Sequence, residues 1–353
     1  MIASSVSLAN FRSYARLDLD LEPGIVLVTG RNGAGKTNLL ESLHVATQGF
    51  SPRTRSDAQL VRFGEAAGRA TVRGKRGGVP VEAEVTVSVR EGKRALLNGA
   101  RLRAAEQLRN EIATLVFTPD RLAVVKGGPA ARSAYFDRVL GRLAPARSLL
   151  PAEYGAAIAQ RNAALRRVAG GWSSREALAP WTERVASLGA ELVASRRETI
   201  LAVEPAFAAV ATELGLLDGA LGYEAEAPSE SDLEARLDRD LERCTTGLGP
   251  HLDDVAISAG GRDLRSFGSQ GEQRLAVLSL LLAEAELIAE RRGLLPLLLL
   301  DDVLSELDTG RREALVVRLA GRGQTMITAT ARDALPGTPS QLVEVVPGTA
   351  RSV

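Results

Sequence analysis

The sequence predicts an α/β fold: a head with an antiparallel β part, interrupted by an inserted, mainly helical lobe. Three observations carry that prediction. A short apolar strand at 25–29 runs into a glycine-rich turn and then a helix. A four-leucine strand at 297–300 ends in two aspartates. From about residue 121 the alternating pattern gives way to apolar residues at helical spacing, and the α/β pattern returns only after about 247. The expected boundaries are therefore 1–120 and 247–353 for the head and 121–246 for the insert, with the stretch at 267–274 expected to pack with the helical insert.

In chain order, residues 2–8 and 16–21 read as strands, the second alternating cleanly through Leu17-Asp18-Leu19-Asp20-Leu21. Ile25-Val26-Leu27-Val28-Thr29, bounded by Pro23-Gly24, has the continuous apolar, β-branched character of a buried strand. The next eight residues, Gly30-Arg31-Asn32-Gly33-Ala34-Gly35-Lys36-Thr37, fit the phosphate-loop pattern G-x-x-x-x-G-K-[ST]. Glycines let such a backbone curl until successive N–H groups face phosphate oxygens, and the following helix adds its positive end. Lys36 is placed to reach β- and γ-phosphates and the Thr37 hydroxyl to bind magnesium. Only Lys36, Lys75, Lys93 and Lys126 are lysines, so a lysine at this position is informative.

Residues 49–55 form a loop with cations and little periodicity. Segments 70–72, 81–89 and 94–101 read as antiparallel strands with an Asn98-Gly99 hairpin turn, and 113–117 as a buried strand stopped by Pro119. Helical patterns then cover 130–143, 152–168 and 179–213, with breaks expected at Gly170-Gly171 and Pro205. Leu188, Leu192 and Ser195, with Leu201 and Phe207, describe a modest helical arm, far too short for a long coiled coil. A strand is expected at 222–227. Ser229-Glu230-Ser231-Asp232 reads as the N-cap of a helix ending near Cys244.

Three stretches complete the head. Phe267-Gly268-Ser269-Gln270-Gly271-Glu272-Gln273-Arg274 opens an apolar helix at 275–288, and its hydroxyl, glycine and helix N-terminus make an anion site, although alone it reads as a helix cap. Leu297-Leu298-Leu299-Leu300-Asp301-Asp302 puts two acids at the end of a central strand, where open α/β sheets keep their chemistry. Asp301 fits the magnesium-associated acid and Asp302 the positioner of an attacking water. Ser305-Glu306-Leu307-Asp308 precedes an amphipathic helix at 309–319, and a strand at 326–330 ends in Thr330, a hydroxyl placed to sense a γ-phosphate.

Composition sets limits. With 353 residues, 45% hydrophobic and 25% charged, the chain has room for a large core and one or two domains. No apolar run approaches the ~18 residues of a membrane span, and no signal-peptide pattern opens the chain, so a cytoplasmic protein is expected. One cysteine, Cys244, excludes an internal disulfide, and with His44 and His251 it cannot complete a four-ligand zinc site. The net charge of +1 hides an asymmetry: residues 31–109 hold 15 Lys/Arg against 7 Asp/Glu, and 201–260 hold 3 Arg against 13 Asp/Glu. The basic stretch suits a polyanion, with Arg53, Arg55, Arg73, Lys75 and Arg76 as candidate contacts to a DNA backbone.

Taken together these stretches resemble the ATP-binding-cassette ATPases, over nearly the whole chain. The opening Leu8-x-Asn10-Phe11-Arg12-x-Tyr14 is similar to the start of the chromosome-maintenance and Rad50 branch. The short arm, Phe117-Thr118-Pro119-Asp120, Lys126-Gly127-Gly128-Pro129 and the Asp301-Asp302 pair narrow the resemblance to the RecF family of bacterial repair proteins. Two departures stand out. Glu272 replaces the first glutamine of the family's Ser-x-Gly-Gln-Gln motif, and the switch histidine of transporter cassettes is absent, leaving Thr330 as its substitute.

The resemblance implies an ATP-binding-cassette-type head that uses ATP and Mg2+, with Asn38, Arg12, Gly271 and Asp308 joining the phosphate loop in nucleotide contacts. It implies ATP-dependent head-to-tail dimers in which Ser269 meets the nucleotide of the other subunit. It also implies binding to double-stranded DNA and single-strand/double-strand junctions, cooperation with RecR and RecO in loading RecA, and weak DNA-stimulated hydrolysis without nuclease activity. Two other classes compete. A transporter cassette is disfavoured by the Asn-Phe-Arg opening and by Asp302 in place of glutamate. A small-molecule kinase would have no use for the Ser269 motif or for 305–308.

Overall fold

The computed structural model describes residues 1–353, the side chains of Asn110 and Glu306 excepted. Fifteen strands are described: β1 (Ile2–Phe11), β2 (Tyr14–Asp20), β3 (Ile25–Thr29), β4 (Ala67–Arg76), β5 (Val79–Ser88), β6 (Gly92–Leu97), β7 (Ala100–Arg101), β8 (Thr114–Phe117), β9 (Ala220–Gly222), β10 (Ala256–Ala259), β11 (Arg262–Asp263), β12 (Leu297–Leu300), β13 (Thr325–Ala329), β14 (Gln341–Val346) and β15 (Thr349–Ser352). The chain divides into two compact units. One comprises 1–121, 213–215 and 278–353, the other 122–212 and 216–277.

The first unit holds two six-stranded sheets. One is antiparallel, in the order β2-β1-β4-β5-β6-β7. Its inner face is built by alternation: Val6 and Leu8 on β1 are buried between half-buried neighbours, and Leu17 and Leu19 on β2 between exposed ones. Asn98 and Gly99 both take positive φ, 50° and 79°, as a two-residue hairpin turn demands. The other sheet has the order β15-β14-β3-β13-β12-β8, with parallel pairing from β14 to β8 and an antiparallel final hairpin. β12 and β8 are buried at every position, and β3 at all but its first, which is why they read as continuous apolar runs. The helix Lys36–Gln48 packs on strands of both sheets, and everything from Leu39 to Gln48 is buried.

The second unit contains the helices Pro129–Leu143 and Leu150–Ala169 and most of Ala179–Glu213, over a core that includes Leu140, Leu150, Tyr154, Val185, Leu188, Leu192 and Leu233. Arg161 is wholly buried there and satisfied by Asp240 (2.8 Å) and Thr246 (2.9 Å). Gly127 and Gly128 lead into the first of these helices, and Arg132 donates to the Gly127 carbonyl (2.9 Å) while pairing with Asp254 (2.5 Å).

Several expectations change. The helix does not break at Pro205 but runs through it, because Val203, Phe207, Val210 and Ala211 stay buried on one face while the proline ring sits on the exposed one. Leu201, expected to help the arm pack, is 68% exposed. The strand expected at 222–227 is β9 and stops at Gly222, where its partner β10 begins. The helix expected to run to Cys244 is two, Glu230–Ala235 and Leu237–Arg243, with the Ser229 cap at the first and Cys244 in left-handed conformation after the second. Residues 247–266, expected in the head, group with the helical unit, as 267–277 do, since β10 and β11 form a three-stranded sheet with β9. No described helix is long and apolar enough to cross a membrane.

Candidate nucleotide site

The C-terminal ends of β3, β13 and β12 lie side by side, and the phosphate loop leaves the first of them. Gly30 has φ 154° and passes so close to β14 that an added Cβ would lie 2.4 Å from the Val345 carbonyl oxygen. Gly35, at φ 117°, caps the helix in the left-handed region, with the Tyr14 hydroxyl donating to its carbonyl at 3.0 Å. Burial pushes the Tyr14 phenol up to about 12, so it stays a donor at any working pH. Lys36 folds back over the loop, its Nζ donating to the carbonyls of Gly30 (2.6 Å) and Arg31 (3.1 Å). Partial burial lowers its pKa, and the charges of Asp302 and Asp301 oppose that shift. Arg31, Asn32 and Gly33 are exposed at the loop's tip, and Ala34 is buried beneath it.

The structure brings Thr37 and Asp301 together, 264 residues apart in sequence: Thr37 Oγ1 donates to Asp301 Oδ1 at 3.0 Å. A third group completes the cluster. Thr328 Oγ1 donates to the same carboxylate oxygen at 2.8 Å and accepts the backbone N–H of Asp302 at 2.8 Å. One hydroxyl thus binds the Asp301 carboxylate and the Asp302 backbone. Thr330, the expected sensor, is exposed just beyond β13. Asp302 is exposed, and its φ of 53° turns its backbone sharply away from β12.

Burial raises the pKa of Asp301 despite the bonds from Thr328 and Thr37. Such a carboxyl holds its proton better folded than unfolded. Apo stability therefore falls as pH climbs through that interval, and a divalent cation, which takes the ionised form, binds less tightly as pH drops. The donor set is one hard carboxylate and one hydroxyl, which suits Mg2+ completed by phosphate oxygens and water. Among the described residues no three His, Cys, Asp or Glu side chains cluster into an all-protein metal cage.

The serine motif has a local role of its own. Ser269 Oγ accepts the Glu272 backbone N–H (3.2 Å), and Glu272 Oε2 accepts that of Ser269 (2.7 Å), a reciprocal capping box for the helix Gln270–Arg292. Glu272, which breaks the family pattern, is thereby accounted for as a cap. Ser269 and Gly271 are exposed. Asp308 caps the helix Thr309–Leu319 by accepting from the Arg311 N–H at 2.9 Å, and the side chain of Glu306 lies outside the described residues.

The five basic candidates fall into two places. Arg53 and Arg55 are on the loop after the phosphate-loop helix, and Arg53 bonds to Asn38 (3.1 Å) and Glu41 (3.2 Å). Arg73, Lys75 and Arg76 are on β4, where Arg73 pairs with its cross-strand neighbour Glu82 (2.5 Å) and Arg76 with Glu111 (2.6 Å). Much of the positive excess is therefore balanced locally.

Thr328 and Glu41 were not identified from sequence. A threonine late in an apolar strand is a weak signal, because its partner lies on a strand that only the sheet order identifies. Thr328→Val keeps the shape but leaves the Asp302 N–H and the Asp301 carboxylate short of a partner. It should cost about 2 kcal/mol of unfolding free energy. A loss under ~0.5 kcal/mol in urea titration would show that water or backbone replaces the hydroxyl.

Comparisons with known proteins agree along the chain. The family model described as RecF/RecN/SMC N terminal domain matches residues 2–350. The DNA replication and repair protein RecF of Heliobacterium modesticaldum is 36% identical, over 94% of this chain and 92% of that protein. Its counterpart from Frankia alni is 35% identical, over 95% of each. A solved structure of the recombination mediator protein RecF-ATP in the RecFOR pathway superposes with a TM-score of 0.88 at 26% identity, covering 100% of this chain and 97% of that one. An Smc head bound to the C-winged helix domain of ScpA matches at a TM-score of 0.62 and 16% identity, over 100% of this chain and 97% of that one, which speaks to the fold alone.

Proposed function

Because the chain belongs to the RecF family of DNA replication and repair proteins, we propose that it is an ATP-switched DNA-binding protein whose two-copy state is set by the nucleotide. The observation that carries this reading is the Thr37–Asp301–Thr328 cluster at the mouth of the phosphate loop. A hydroxyl and a buried acid converge there, with Lys36 on the loop above, and a magnesium–triphosphate needs these donors.

In this reading backbone N–H groups of 33–37 cradle the phosphates, and Lys36 leaves its carbonyl partners for the β- and γ-phosphates. Thr37 and Asp301 would hold magnesium, which would supply neutralising charge to the phosphate oxygens. Asp302 orients the attacking water, held in place through its backbone bond to Thr328. Ser269, Gly271 and Asp308, exposed in one copy, complete the site of a second copy arranged head to tail. Each site is then incomplete alone, so ATP joins two copies and slow hydrolysis releases them. Relatives' names place RecF in replication, repair and the RecFOR pathway. We extend to this chain their setting: duplex DNA near single-strand gaps, and RecO and RecR as co-workers in loading RecA.

DNA binding gives the direct test. Arg55, Lys75 and the unbalanced part of the 31–109 charge are the proposed backbone contacts. With ATP present, affinity for a gapped duplex should fall at least tenfold between about 50 and 200 mM salt, because phosphate contacts release counterions. Affinity that stays flat across that range overturns the DNA reading.

A further inference from the structure

Glu41 is an acid in the middle of the core. Its side chain has no exposed surface, and it lies one helical turn beyond Thr37, on the same face of the Lys36–Gln48 helix. Four donors converge on it. Arg12 grips it with two bonds, Nε to Oε2 at 2.8 Å and Nη2 to Oε1 at 2.7 Å. Arg53 Nη1 donates to Oε2 at 3.2 Å, and Ser51 Oγ to Oε1 at 2.6 Å. Ser51 Oγ in turn accepts the backbone N–H groups of Arg53 (3.0 Å) and Thr54 (3.1 Å), so the loop that carries Arg53 hangs on the same carboxylate.

Both arginines are held in costly or specific geometry. Arg12 has φ 51°, a left-handed conformation rare for a long side chain, fixed by its N–H bond to the Leu60 carbonyl (2.8 Å) and by Nη1 to the Gln59 carbonyl (2.8 Å). Arg53 shares its Nη1 with Asn38 Oδ1 at 3.1 Å, directly after the phosphate loop. Arg12, Arg53 and Asn38 line a groove of about 580 Å³ whose wall also includes Arg62 and the wholly exposed Phe63. A buried carboxylate that carries two guanidiniums is poor economy for stability alone, since ion pairs of this kind tend to break even with apolar packing.

We propose that Glu41 is a positioning residue for the triphosphate site: it touches no ligand, and it aims the guanidinium groups of Arg12 and Arg53 into the groove beside the phosphate loop. The inference rests on ATP being the ligand there. One carboxylate between two cations leaves a net positive charge facing the groove; Arg12 keeps the N–H groups not bound to Glu41 and Gln59, and Arg53 binds through Nη1 alone, so both guanidiniums retain donors for phosphate oxygens.

The sign of the effect separates positioning from plain charge. Glu41→Gln keeps the shape and adds one positive charge beside the phosphates. If only charge mattered, ATP would bind more tightly. If positioning matters, the guanidiniums lose their aim: kcat should fall at least tenfold while the calorimetric Kd for ATP stays level or weakens. Both are measured well below the melting temperature of each variant. Arg12→Lys and Arg53→Lys keep the charge but lose the fork, and should reproduce the kcat loss with little change in melting temperature. They carry the test if Glu41→Gln does not fold. Unchanged kcat with only a lowered melting temperature makes Glu41 a structural staple and overturns the proposal, as does tighter ATP binding at unchanged kcat. Lys36→Ala is run alongside: if it still binds ATP normally, the nucleotide reading itself fails, a result distinct from either.

Discussion

Lys36→Ala should abolish ATP binding. The side chain already spans the loop, bonded to the Gly30 and Arg31 carbonyls, so it needs only a small swing to reach phosphates cradled below it. Its ammonium is partly desolvated and faces the two acids that close the site from the other side. Removing it leaves Asp301 and Asp302 beside a triphosphate with no lysine between them, and like charges at close range in a partly dry site repel by several kcal/mol. The fold should survive, because Gly30 and Gly35 set the loop's course and the helix behind it is packed from Leu39 onward. Isothermal calorimetry decides the matter. An affinity within about threefold of wild type, under ~0.7 kcal/mol, would mean that the phosphates sit elsewhere.

What sequence made legible was local. The strand at 25–29 was readable because Pro23-Gly24 stops what precedes it and every following residue up to Thr29 is apolar or β-branched, and the structure has β3 over the same residues. The helix at 309–319 was readable from its amphipathic spacing and also keeps its bounds. Arg12, Lys36, Thr37 and Asp301 could be named because motifs fix their spacing. What escaped depends on chain neighbours far apart. Thr328 matters only because β13 pairs in parallel with both β3 and β12. Glu41 looked like an ordinary helix acid until Arg12, 29 residues earlier, folded onto it. The basic stretch looked freer than it is because the partners of Arg73 and Arg76 come from the next strand and from Glu111. The division at 247 failed for a similar reason. A four-residue strand, β10, binds that segment to the helical unit, and strand pairing of that length leaves almost no trace in composition.

Asp302→Asn and Ser269→Arg should both end ATP hydrolysis and yet leave the protein in opposite states of association. Asparagine tolerates the left-handed backbone that Asp302 adopts at φ 53°, and the N–H bond to Thr328 involves no side-chain atom of residue 302, so the loop keeps its course. Thr37 and Asp301 remain to hold magnesium, and ATP binds. The group that orients water is gone, the triphosphate persists, and two copies stay joined. In Ser269→Arg the phosphate loop is untouched, and each copy still binds ATP. On the proposed head-to-tail arrangement a bulky cation would stand where a small hydroxyl enters the other copy's γ-phosphate pocket, and the copies should stay apart. The change also removes the cap that Ser269 shares with Glu272, worth about 1 kcal/mol, so Glu272→Ala, which breaks the other half of the box and keeps the hydroxyl, serves as the control for lost capping. Light scattering with ATP and magnesium reads the outcome as mass. Ser269→Arg should give the monomer mass with ATP bound, and Asp302→Asn twice that mass for as long as ATP lasts. If Ser269→Arg doubles its mass with ATP, or Asp302→Asn never does, the serine motif does not complete a partner's site. The chain would then be a phosphate-loop hydrolase whose switch works within one copy.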